Sequence, residues 1–132
     1  MKPDPQQTLF QAIRADGRYA HQAYTFLQQG LDYTARKLFG DRPRGEPRHV
    51  TGQELCAGLC ELALQRWGRL AGVVLRSWNV HTTHDFGEMV FFLVTLGAMG
   101  QQDTDCIEDF DDVYDFTETF DSYHIPLDAD QD

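Results

Sequence analysis

Tyr19, Ala23, Phe26, Leu27, Leu31, Thr34, Ala35 and Leu38 return every three or four positions, and Leu55, Leu59, Leu62, Ala63 and Trp67 repeat the spacing. A stripe of that period fits one face of an α-helix and would scatter over both faces of a strand. Two such stretches in a chain of 132 residues predict a single helical domain, long enough for one core and too short for two.

Local signals mark further elements. A first helix is predicted from Thr8 to Ala15, with Leu9, Phe10, Ala12 and Ile13 as its apolar face and Asp16-Gly17 ending it. The second, Tyr19 to Phe39, contains Gly30, which costs a helix about 1 kcal/mol relative to alanine. Gly40 stops it after Arg36 and Lys37, cations placed where the helix dipole favours them. Residues 41–47 hold two prolines and a glycine and read as a loop, followed by a short extended Arg48-His49-Val50. Thr51 and Glu54 have the spacing of a capping box that starts a third helix, Gly52 to Trp67. Gly68 bends or stops it, and a fourth helical piece, Leu70 to Trp78, carries Val73, Val74 and Ser77 on one side. Asn79 to Thr82 reads as a turn. Thr82 or Thr83 then caps a fifth helix to about Leu96, with Gly97 and Gly100 closing it. The apolar run Met89 to Met99 is about half of the roughly 20 residues a membrane span needs and reads as a buried helix.

Beyond Asp103 the pattern changes, as acids interleave with Ile107, Phe110, Val113, Tyr114, Phe116 and Phe120. Val113, Tyr114 and Phe116 could form a strand and Thr117 to Phe120 a helical turn. The expected fold is mainly α: a five-helix domain over residues 1–121, with an extended or frayed acidic tail at 122–132. A short hairpin over Gly97 to Phe116 would give the element order of a winged-helix domain, the alternative to a plain bundle.

Several short blocks also carry a resemblance. Arg48-His49-Val50-Thr51-Gly52-Gln53-Glu54-Leu55, Leu31-Asp32-Tyr33-Thr34, Asp85-Phe86-Gly87-Glu88-Met89-Val90-Phe91 and Tyr114-Asp115-Phe116 resemble a family of short uncharacterised proteins of planctomycetes and verrucomicrobia. The blocks span about residues 10 to 120, in order. The resemblance implies a bacterial cytoplasmic protein without an assigned activity, and no functional residue transfers with it.

Charge is distributed unevenly. Residues 1–102 hold all 11 Lys and Arg against 9 acids, a balance of +2; residues 103–132 hold 12 acids and neither cation, a balance of −12. A net charge of −10 repels phosphates, so direct nucleic-acid binding is disfavoured, and only the Arg36 to Arg48 cluster could meet them. The acid–aromatic interleaving has two readings. In one the aromatics dock on the core while the acids face water or the basic loop of Arg36, Lys37, Arg42, Arg44 and Arg48. In the other, Asp103, Asp105, Glu108, Asp109, Asp111, Asp112 and Asp115 form a surface that steers a basic partner. Globular composition (42% hydrophobic, 12% aromatic), an N-terminus without an apolar signal core and an odd count of 3 cysteines favour a cytoplasmic protein.

Candidate chemistry is sparse. His81, His84 and Glu88 could ligate a divalent metal from a turn and one helix face, but lack the His-Glu-x-x-His order. The plainer reading is an exposed turn with Asp85 and Glu88 favouring the helix N-terminus. Cys56 and Cys60, at i and i+4, read as small buried hydrophobes, and Cys106 among carboxylates is a poor nucleophile. Asp103 to Asp115 lacks the glycine a calcium loop needs, since Glu108 takes its place. No phosphate loop, dinucleotide fingerprint or nucleophile elbow stands out, so no cofactor is expected. The sequence therefore predicts a non-enzymatic protein-interaction domain, a regulator or adaptor whose partner has a basic surface, with homo-oligomers left open. The alternatives are a winged-helix regulator with an autoinhibitory acidic end and a metal-dependent enzyme using His81, His84 and Glu88.

Overall fold

The structure, a computed structural model, describes residues 5–40, 50–97 and 107–121. Five helices follow in order: α1 (Pro5–Asp16), α2 (His21–Phe39), α3 (Gly52–Trp67), α4 (Ala71–Ser77) and α5 (Thr83–Thr95). A 3-10 turn, Gly68–Leu70, joins α3 to α4; a second, Ile107–Phe110, and a π-type turn, Thr117–Asp121, make up the C-terminal segment.

The capping box predicted for Thr51 and Glu54 is present, and Thr82, one of the two threonines expected to cap the fifth helix, closes a second. Thr51 Oγ1 accepts from the Glu54 amide and the Glu54 carboxylate accepts from the Thr51 amide, satisfying donors that the first turn of α3 would leave open. Thr82 and Asp85 do the same for α5. Gly40 and Gly68, both at positive φ, send their amides back to Arg36 and Leu64 at the ends of α2 and α3.

The pair α2 and α3 forms the centre of the molecule, and glycine lets it close. A Cβ on Gly30 would overlap Leu59, and one on Gly58 would overlap the Thr34 side chain. Close approach across this seam is therefore why a helix tolerates Gly30 despite its intrinsic penalty. Leu27, Leu59 and Ala63 are fully buried beside it. Phe26, Trp67 and Trp78 pack ring against ring at one end, with centroids 5.2–6.0 Å apart. Helix α5 packs on both α2 and α3, burying Phe86, Met89, Val90 and Leu93.

Three expectations need correction. Helix α1 starts at Pro5 rather than Thr8, because proline suits a first turn whose amides have no helical partner. There is no strand among the described residues: Val113 and Tyr114 lie in a bend and Phe116 leads into the Thr117–Asp121 turn, so the hairpin and the winged-helix order built on it are not supported. Asp112 at φ 52° explains the bend, since a left-handed residue breaks the extended run that a strand requires. Finally, Val73 and Ser77 face solvent, while Ala71, Gly72 and Leu75 form the buried side of α4. Gly100, the residues Arg48 and His49 of the short extended segment, and the 122–132 tail lie outside the described residues; Val50 is buried. No helix among the described residues is long and apolar enough to cross a membrane.

Candidate functional site

The C-terminal segment is seated by its aromatics. Phe110, Phe116 and Phe120 are 2%, 4% and 0% exposed, and each buried phenylalanine contributes about 1.5–3 kcal/mol. Phe110 lies across α3 and α5 where both present glycine: a Cβ on Gly52 would come within 3.0 Å of the Phe110 ring, and one on Gly87 within 2.8 Å of its side chain. Tyr114 stacks on Phe116 and donates from its hydroxyl to the Cys56 carbonyl at 2.9 Å. Burial holds that phenol well above its usual pKa. The Val113 amide donates to Thr83 Oγ1 at 3.2 Å, which gives the buried Thr83 hydroxyl its partner.

A polar chain runs along α5 beside this seat. His84 Nδ1 meets Asp111 Oδ1 at 2.5 Å and its Nε2 meets Glu88 Oε2 at 3.0 Å. Glu88 also accepts from Arg18 at 2.9 Å, and Arg18 pairs with Asp16. The hydrogen bond from Asp111, seconded by Glu88, raises the His84 pKa above its ordinary value, because both favour the imidazolium. Asp85 accepts from the His81 and Thr82 amides and from the Tyr19 hydroxyl at 2.7 Å, so one carboxylate both caps α5 and ties it to the start of α2.

Between α5 and the C-terminal segment opens a cleft of about 560 Å³. Arg76 contributes a guanidinium and His81 and His84 imidazoles to its lining, and Asp111, Asp112 and Asp115 contribute carboxylates; Tyr114 and Phe116 add aromatic edges. Such a lining can hold a polar or charged group by paired contacts.

Of the predicted acidic surface, Glu108, Asp111, Asp112 and Asp115 are exposed and Asp109 is half-buried, all within one segment. Asp115 Oδ1 accepts from the Glu118 amide. Asp103 and Asp105 lie outside the described residues, as do Cys106 and the basic Arg42, Arg44 and Arg48. The described part of the basic loop pairs elsewhere: Arg36 with Asp32 at 3.2 Å, Lys37 with Glu61, which also accepts from Tyr33. Lys37, followed by Tyr33, holds the Glu61 carboxyl below the usual range.

For the metal candidates, His84 and Glu88 do meet, but His81 Nε2 lies 3.0 Å from Asn79 Oδ1. An imidazole engaged by carboxylates at both nitrogens offers no lone pair to a metal. Among the described residues no group of three or more His, Cys, Asp or Glu is arranged to hold one. Cys56 is fully buried, with its thiol pushed up to about 12, and Cys60 is half-buried; both are free thiols packed in α3. Arg18 and Arg76 escaped the sequence reading and Thr83 was read only as a candidate helix cap, since each meets the site from 30 or more residues away or through tertiary packing alone.

No family model, curated protein or solved structure matches this chain.

Proposed function

We propose that the chain is a protein-interaction domain that presents a fixed acidic face to a basic surface of another protein, as a regulator or adaptor. The observation that carries this reading is the two-sidedness of residues 107–121: phenylalanines 110, 116 and 120 are in the core while Glu108, Asp111, Asp112, Asp115 and Glu118 face solvent. A docked acidic segment has little further conformational freedom to lose on binding, so its charges steer and hold a partner without the entropic cost of folding a tail. The cleft beside His84 gives that face a recess for a lysine or arginine side chain, between Asp112, Asp115 and the edge of Tyr114.

Affinity capture from native lysate tests this, comparing the full chain with a variant carrying Glu108→Gln and Asp112→Asn. These side chains are exposed, so the variant should unfold at the same temperature. The expected result is a stoichiometric partner, released by high salt and lost with the neutralised variant. Equal capture by both chains would remove the acidic face from the account.

A further inference from the structure

We infer that the chain pairs with a second copy of itself, as a two-fold dimer, through the surface formed by Gly68–Leu70, α4 and the adjoining Thr117–Asp121 turn. Leu70 and Val73 are each 59% exposed, more than any other large hydrophobic among the described residues. They stand three positions apart on a continuous helical run, so they lie side by side rather than singly. Beside them in the chain, Arg69 is exposed and forms no ion pair among the described residues, whereas the Arg66 guanidinium sits over the Phe26 ring of α2. The Thr117–Asp121 turn packs against both Gly68–Leu70 and α4, which brings the exposed Glu118 to the edge of the same surface.

One face thus carries a basic, apolar half and an acidic half. A surface of that kind is complementary to itself under a two-fold axis, because each copy's acidic half then covers the other's basic half. The leucine and valine of both copies lose water in the same step. Net charge opposes the pairing, yet at physiological salt repulsion is screened beyond about 8 Å, whereas the opposed charges meet at contact. This inference goes beyond the proposed function. It shares Glu118 with the acidic face but none of Glu108, Asp111, Asp112 and Asp115, and Leu70→Glu, which leaves every acid in place, tests it apart from that reading.

Sedimentation equilibrium of the full chain at about 100 µM, above the Kd of a specific contact, should give twice the monomer mass. Leu70→Glu should give the monomer mass with an unchanged unfolding temperature, since the side chain is exposed. Arg69→Glu and Glu118→Arg should each weaken pairing about tenfold or more, and their equimolar mixture should restore it as a heterodimer. In that mixture both contacts across the axis have opposite signs, one of them exchanged and the other native. A native chain that is monomeric at this concentration overturns the inference, the patch then belonging to a different partner. So does a dimer that Leu70→Glu leaves intact, or a mixture that stays monomeric.

Discussion

His84 lies between two carboxylates on two elements, and only the imidazolium can donate to both. Its pKa is raised in the folded chain, so the stability it contributes is fully present below the unfolded value near 6.5. That contribution is lost as pH rises through the folded value. Because the ring is 43% exposed, it amounts to under about 1 kcal/mol after screening. An NMR titration should place the His84 pKa above that of a model histidine, and Asp111→Asn should lower it while Glu88 remains in place. A His84 titration unmoved by Asp111→Asn would break the link to the C-terminal segment. The i, i+4 pairing of His84 with Glu88 was legible in the sequence, as both sit on one helix face. Asp111 was not, because it lies 27 residues on and no local period reports such a contact. Gly30 looked like a weak point of its helix, and only tertiary packing reveals that the missing side chains of Gly30 and Gly87 make room for Leu59 and Phe110.

At the scale of elements, magnitudes decide what holds the segment of residues 107–121 in place. Three buried phenylalanines contribute several times what the exposed His84 pairs can. Phe110→Ala should therefore destabilise the fold by about 3–5 kcal/mol, and Gly87→Ala, which drives a methyl into Phe110, by about 1–3 kcal/mol. His84→Ala should cost under about 1 kcal/mol. Urea unfolding of the three variants checks the order, and a Phe110→Ala change as mild as His84→Ala would place that ring outside the core. The helices themselves were well signalled: both threonine caps, the stops at Gly40 and Gly68 and the full span of α3 follow from local chemistry. The C-terminal segment was ambiguous because Phe110, Tyr114, Phe116 and Phe120 are spaced four, two and four apart, which matches neither the helical nor the strand period throughout. Asp112 in the left-handed region resolves it as linked turns.

For the whole molecule, a nearly neutral helical body carries an anionic end, a division visible in the charges alone. What composition could not show is that the described acids of residues 107–121 belong to the fold, because whether a charged segment docks depends on where its aromatics find space. Here Gly52 and Gly87 supply that space, the Thr83 hydroxyl accepts from the Val113 amide, and the Cys56 backbone carbonyl accepts from the Tyr114 hydroxyl. These contacts seat the acidic face on the helices under it, which the proposed steering of a partner in one orientation relies on. Native-state amide hydrogen exchange at Val113 reads this most directly. Docking predicts protection approaching that of the α5 core amides of Met89 and Val90, falling sharply in Phe110→Ala. Exchange of Val113 at the rate of an unfolded peptide, with α5 still protected, would contradict it.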